Sequence, residues 1–251
     1  MLGLALALAA LIGVSLGLLG SGGSIITLPV LVYAAGIPVA QAVGMSLVIV
    51  GGTSAAGGYL RYRQRAFASK PAVFFAVSGM VGAFFGARLT HLVQPSMLLL
   101  IFGVLMLTVG AAMLRKRGED SVPQLCRPGK CFGVGLTVGV LTGFLGVGGG
   151  FLILPALVLF AGVEMKKAIG TSLAIIAFNS FAGLAGQLRY IRFDWGLTLA
   201  FLVAALGGMF GGLALANRLS SHALRRSLGW AIIGLGAFLV VKNSLNALGP
   251  S

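Results

Sequence analysis

Apolar residues run along this chain in long blocks rather than in the alternation of a soluble strand or the one-sided stripe of a surface helix. From Met1 to Leu60 there is no Asp, Glu, Lys or Arg. One membrane-crossing helix needs about 20 apolar residues, so at least two spans fit before the first charge. The later blocks are separated only by short polar stretches. They predict helical segments at 2–19, 24–36, 39–60, 70–90 and 96–114, then at 132–147, 150–162, 167–187, 195–216 and 223–243. Helices are expected because lipid offers no water to exposed backbone groups, and the blocks are too long and too evenly apolar for barrel strands. The opening residues Met1–Ala10 lack the basic flank of a cleaved signal peptide, so they are read as part of the fold.

The blocks repeat. "GLLGSGGSIITLP" (17–29) returns as "GFLGVGGGFLILP" (143–155), a shift of 126 residues. At that shift Gly36 meets Gly162, Gly44 meets Gly170, Ser46 meets Ser172, Ser54 meets Ser180 and Gly57 meets Gly183. Over residues 17–57, 19 of 41 positions are identical, which points to internal duplication. The expected organisation is a first membrane repeat (1–114), a polar cytoplasmic linker (115–130, "RKRGEDSVPQLCRPGK") and a second membrane repeat (131–251).

The segment after each glycine cluster is short. A helix of some 13 residues spans roughly 20 Å against a hydrocarbon core of about 30 Å, so each half is expected to carry a broken or re-entrant helix. The fold class expected is therefore all-α and polytopic, with about 8–10 helical segments in two pseudo-symmetric repeats. Basic residues favour the side of the 61–70 loop and the linker. An inverted arrangement of the halves leaves only Arg88, Arg189, Arg192 and Lys242 on the far side, whereas a parallel one strands Arg88, Lys166, Lys167, Arg218, Arg225 and Arg226 there. Positive-inside sorting favours the inverted arrangement.

Composition narrows the function. The chain is 58% hydrophobic and 9% charged, with a formal net charge of +14. The basic residues sit between or beside apolar blocks, and they are not interleaved with aromatics as a nucleic-acid surface would be, so no nucleic-acid partner is expected. Cys126 and Cys131 flank a Pro-Gly turn without Cys or His neighbours, so neither a metal nor, in a cytoplasmic stretch, a disulfide is expected. The four acids, Glu119, Asp120, Glu164 and Asp194, all fall in or beside loops. With no carboxylate at membrane depth, no metal cluster and no Ser-His-Asp set, neither an enzyme nor a cofactor is expected. Cation coupling through buried acids finds no support either, and a small anion is the favoured solute. A homo-oligomer is compatible with the sequence, and the lipid bilayer is the obligatory partner.

Two recurrent elements carry the candidate site. "GVGGG" resembles a dinucleotide loop, but it lies between apolar helices with no strand before it and no acid about twenty residues on. Clustered glycines unravel a helix, and a second arm begins with unpaired N–H groups that favour an anion. This selects Gly20, Ser21, Gly22, Gly23 and Ser24, and in the second half Gly146, Gly148, Gly149 and Gly150, as substrate-binding candidates at two breaks near the midplane, as in secondary transporters. The second element is "GMSL" (44–47) matched by "GTSL" (170–173), followed by Thr53-Ser54 matched by Asn179-Ser180. It adds Ser46, Thr53, Thr171, Ser172 and Asn179, although hydroxyls in membrane helices are often satisfied by their own i−4 carbonyl. "GMVGAFFGA" (79–87) and "GGMFGG" (207–212) are read instead as close helix packing.

The doubled glycine pattern ending in Pro29 and Pro155, the "GMSL"/"GTSL" pair and "QLRYIRFDW" (187–195) resemble the sulfite exporter TauE/SafE family. The resemblance implies a bacterial inner-membrane permease for sulfite, sulfonates or other small organic anions, with the glycine motif on Gly20, Gly22, Gly23 and Pro29 and on Gly146, Gly148, Gly149, Gly150 and Pro155. The reading that follows is a carrier working by alternating access. An anion channel and a non-transporting scaffold are the alternatives.

Overall fold

Without water to hydrogen-bond the backbone, an apolar chain of this composition has to close its own hydrogen bonds, and every element of the described chain is helical. The computed structural model describes residues 2–20, 22–64, 68–115, 128–145, 150–187, 194–216 and 221–248. The helices are α1 (Leu2–Leu19), α2 (Gly22–Pro29), α3 (Val39–Arg63), α4 (Ser69–Leu89), α5 (Pro95–Arg115), α6 (Pro128–Leu145), α7 (Gly150–Leu159), α8 (Met165–Gln187), α9 (Trp195–Ala216) and α10 (Ser221–Leu248). Five stretches are long and apolar enough to cross a membrane: Val39–Arg63, Ala72–Leu89, Ser96–Leu114, Met165–Gln187 and Trp195–Ala216. The protein is a multi-pass membrane protein.

Local sequence explains the starts and stops. Pro95 and Pro128 open α5 and α6, where a missing N–H costs nothing. The Asp194 carboxylate accepts the backbone N–H of Leu197 at 3.1 Å and caps α9. Pro29 ends α2, and the chain continues as a π-turn over Val30–Ala34 closed by Ala35 N–H to Val30 O at 3.0 Å. The segment expected as one arm over 24–36 is thus an α-helix followed by a π-turn. A similar closure recurs after α7, where the Ala161 N–H donates to Ala156 O at 3.3 Å. Gly36 and Gly162 then take φ values of +68° and +64°, a region that L side chains rarely enter.

Gly20 has a φ of +67°, and beyond it the chain turns back on itself. On one continuous helix, residues 12 and 23 would stand about 16 Å apart. Instead a Cβ at Gly23 would strike the Ile12 carbonyl and the Leu16 side chain, so α2 lies folded against α1.

Six helices form a row in the order α1, α9, α3, α8, α4, α6, and α2 and α7 pack between this row and the α5–α10 pair. The outer seams of the row are made by glycine. Gly13 and Gly17 press on the carbonyls of Ala205 and Met209, and Gly139 and Gly143 press on those of Gly79 and Ala83. Gly208 and Gly212 meet Ala10 and Val14, while Gly82 and Gly86 meet Leu136 and Val140. In the glycine-rich runs 79–87 and 207–212, Gly82, Gly86, Gly208 and Gly212 therefore serve close packing, as their sequence suggests, while Gly207 and Gly211 meet nothing within 4 Å of a built Cβ. Order along each helix gives direction. Gly51 lies by Ser180, Gly58 by Ala174 and Leu47 by Gly183, so α3 and α8 are antiparallel. Gly103 lies by Gly236 and Gly110 by Gly229, so α5 and α10 are antiparallel too.

One sequence expectation is corrected. Cys131 is disulfide-bonded, and the other cysteine of the chain, Cys126, lies outside the described residues.

Candidate functional site

An anion needs hydrogen-bond donors, and a hydroxyl that has already given its proton to a helix carbonyl presents only lone pairs. That criterion divides the polar candidates. Ser46 Oγ donates to Val43 O at 2.8 Å, Ser172 Oγ to Ile169 O at 2.9 Å, and Thr53 Oγ1 to Ile49 O at 2.6 Å. Thr171 Oγ1 donates to Lys167 O at 2.8 Å and accepts the Ala68 N–H at 2.9 Å, which ties the end of the 61–70 loop to α8. These four side chains are buried, and their protons are spent on the backbone.

Three other side chains keep their donors. Ser54 Oγ, Ser180 Oγ and both polar atoms of the Asn179 amide are buried without a hydrogen-bond partner in the protein. Ser54 and Ser180 are fully buried and Asn179 is 2% exposed. Ser54 lies three residues past the middle of α3 and Ser180 four past the middle of α8. Gly51 makes the approach between these helices possible, since a Cβ there would lie 3.1 Å from Ser180 Cβ. Gly79 of α4 gives Asn179 its room, because a Cβ at that position would stand 2.6 Å from Nδ2. Free donors thus gather at mid-depth where α3, α4 and α8 meet. Leaving such groups buried and unpaired costs about 1–3 kcal/mol each, a standing cost that a bound solute with acceptor oxygens would remove.

The glycine candidates sit elsewhere. Gly20 packs on Ile169, near the start of α8, with a would-be Cβ 2.8 Å from Cγ2. Its own N–H donates to Leu16 O at 2.8 Å. Since Gly58 already lies beside Ala174 in the antiparallel α3–α8 pair, Ile169 stands near the last turn of α3. The turn from α1 to α2 is therefore toward one end of the row rather than at its middle. Gly22 starts α2, and Ser24 is fully buried within it. Gly150 starts α7. Ser21, Gly146, Gly148 and Gly149 lie outside the described residues. Sequence pairing had singled out Thr53-Ser54 and Asn179-Ser180, yet the site expected from sequence kept Thr53 and Asn179 and passed over Ser54 and Ser180. Only which hydroxyl reaches its own helix carbonyl separates them, and letters do not reveal that.

A groove of about 270 Å³ on the outer side of the α3–α8 pair is lined by Ala55, Gly58, Tyr59, Tyr62, Ala174, Ala177, Phe178 and Phe181. Its lining is almost wholly apolar, and Tyr59, Tyr62, Phe178 and Phe181 are exposed. It offers an anion no charged group, whereas the unpartnered polar atoms of Ser54, Ser180 and Asn179 are buried. Among the described residues no group of three or more His, Cys, Asp or Glu could hold a metal ion.

Comparison with known proteins places the chain among membrane transporters. The family model described as "Sulfite exporter TauE/SafE" matches residues 5–239. The chain is 37% identical over 246 residues to a "Probable membrane transporter protein" of Xylella fastidiosa (strain Temecula1), covering 93% of this chain and 92% of that one. It is 25% identical over 224 residues to the "Probable membrane transporter protein YdhB" of Bacillus subtilis (strain 168), covering 87% and 91%. It is also 26% identical over 204 residues to the "Probable membrane transporter protein MJ0441" of Methanocaldococcus jannaschii, covering 74% and 73%. No solved structure matches.

Proposed function

The chain belongs to the sulfite exporter TauE/SafE family, and from that premise we propose that it is a secondary carrier moving a small oxyanion, sulfite or a sulfonate, across a bacterial inner membrane. The observation that carries this reading is the set of free donors of Ser54, Ser180 and Asn179. Those groups are buried at mid-depth, where a dehydrated oxyanion needs N–H and O–H groups to replace its water.

The two halves are inverted copies in this proposal. Each close approach in one outer seam has a counterpart 126 residues on: Gly13–Ala205 and Gly139–Gly79, Gly17–Met209 and Gly143–Ala83, Gly208–Ala10 and Gly82–Leu136. Gly36 and Gly162 form another such pair in φ. Equivalent helices, α3 with α8 and α5 with α10, run antiparallel, as an axis in the membrane plane requires. The linker and the 61–70 loop then share one side, and Arg88 and Lys242 are the described basic residues left opposite, in keeping with a basic bias toward the linker side.

The donors lie on the central α3–α8 seam, between the two ends of the row. Because α1–α9 and α4–α6 tie the halves tightly at both ends of the row, the moving parts in this proposal are α1–α9–α3 and α8–α4–α6, and rocking one against the other opens the α3–α8 surface alternately to each side. The turn at Gly20–Gly23 lets α2 reverse against α1, and the glycines act as hinges of the hairpin rather than as the central anion grip.

Purified protein in liposomes tests the reading by counterflow. Sulfite trapped inside should accelerate entry of labelled sulfite, as carriers do. Equal entry with and without trapped sulfite marks a channel, and no entry at all leaves a scaffold.

A further inference from the structure

Among the described residues Arg61 is the one charged side chain that is buried, at 6% exposure. Arg63, two residues on, is exposed. A long basic side chain near a helix end ordinarily snorkels toward water, so an arginine folded inward at that depth marks a solute path. Its position says which part of the path. Gly57 faces Leu173 of α8 and Met209 of α9. One helical turn further on the same face, Arg61 stands level with Ile169 and Leu213, the residues against which Gly20 and Gly17 pack. Arg61 therefore borders the α1–α2 turn on the linker side of the central donors.

The residue at the equivalent place in the other half, 126 positions on, is Gln187. It is fully buried. Its Nε2 faces Thr90 Oγ1 at 3.4 Å, Thr90 in turn donates to Phe144 O at 2.8 Å, and its Oε1 has no partner. The far-side member of the pair is thus a neutral amide whose nitrogen faces Thr90, where the linker-side member carries the positive charge of a guanidinium.

We infer that Arg61 is an anion-capture residue at the linker-side mouth and that its replacement by Gln187 at the far mouth makes binding one-sided: tight from the linker side, weak from the other. This rests on the carrier reading above and deepens it, because it builds loading and release into two equivalent positions with different chemistry.

The test measures half-saturation for sulfite from each face, in right-side-out and inside-out vesicles. Wild-type protein should saturate at a concentration about tenfold or more lower from the linker side, the scale of one charge-assisted hydrogen bond. Arg61→Gln, which places the same residue at both mouths, should raise the linker-side value to the far-side value and leave the latter unchanged. Arg61→Lys should keep most of the difference. Equal values on the two faces of the wild type, or an Arg61→Gln change that moves both faces alike, would overturn the inference while leaving a carrier. Failure of both variants to reach the membrane would make Arg61 a folding residue and overturn it too. A wild type that moves no sulfite from either face removes the carrier reading, and this inference with it.

Discussion

The outer seams of the helix row and its central seam are built from the same small residues but are finished differently. At α1–α9 and α4–α6, glycine presses on carbonyl, with Gly13 on Ala205, Gly17 on Met209, Gly139 on Gly79 and Gly143 on Ala83. At α3–α8 glycine again brings the helices together, Gly51 beside Ser180, but the space gained holds Ser54, Ser180 and, next to α4, Asn179, whose polar atoms have no partner. Lipid supplies no hydrophobic drive between helices, so a seam holds by close packing. A seam that opened to bind a solute could not be packed to the same finish. Each outer seam pairs a helix of one half with a helix of the other, α1 with α9 and α4 with α6, so the tight contacts tie the halves together at both ends of the row, and the less finished α3–α8 seam divides it into α1–α9–α3 and α8–α4–α6.

The largest effect that would separate the two kinds of seam comes from filling an outer one. Gly13→Val or Gly139→Val places a branched side chain where the Ala205 or Gly79 carbonyl already stands, and backbone cannot move aside as a side-chain end can. Overpacking of a core costs about 1–3 kcal/mol, occasionally more, and here the obstacle is a helix backbone. Little folded protein should elute as a single peak in detergent. A variant that elutes and melts like the wild type would show that these seams are looser than their geometry says.

Next in size is Asn179→Leu at the central seam. It removes two buried polar atoms that pair with nothing in the protein, so the melting temperature in detergent should hold or rise. Sulfite counterflow should fall by about ten- to a hundredfold, the value of a hydrogen bond to a charged group. A lower melting temperature with unchanged counterflow would make Asn179 a structural residue and move the site. Ser54→Ala and Ser180→Ala should follow the same pattern more weakly, each raising half-saturation about tenfold with no loss of stability. Ser46→Ala and Ser172→Ala, whose protons are spent on Val43 and Ile169, should leave it near the wild-type value.

Most of the helix plan is legible in the letters, because in a membrane the length of an apolar block is the length of a helix. The expected 39–60 and 167–187 became Val39–Arg63 and Met165–Gln187. The ends moved where basic residues remain helical: Arg61 and Arg63 extend α3, and Lys166 and Lys167 open α8. The close-packing role of Gly82, Gly86, Gly208 and Gly212 was legible as well, since small residues one turn apart have few other uses. Depth was not. The cluster around Gly20 reads as a break, but whether a break lies at the middle or at an end depends on which neighbour it meets, and Ile169 is distant in sequence. Nor could sequence separate Thr53 from Ser54. Both are small hydroxyls on one turn of α3, and rotamer choice alone decides which donates to the helix.

The smallest effect sharpens the comparison of the halves themselves. Gly36 and Gly162 hold nearly the same positive φ, +68° and +64°, at the ends of the two short arms. Nothing lies within 4 Å of a Cβ built on Gly36, so alanine there meets no neighbour and costs only the left-handed backbone, about 1 kcal/mol. If the halves are copies, Gly162→Ala should cost the same. The two single variants should then lower the melting temperature by equal small amounts and the double variant by their sum, because distant independent sites add. Transport should be untouched, since neither residue lies at the central donors. A cost confined to one half would mean that the shared φ masks different packing, and the inverted-copy description would then fail at the turns where its backbone evidence is strongest.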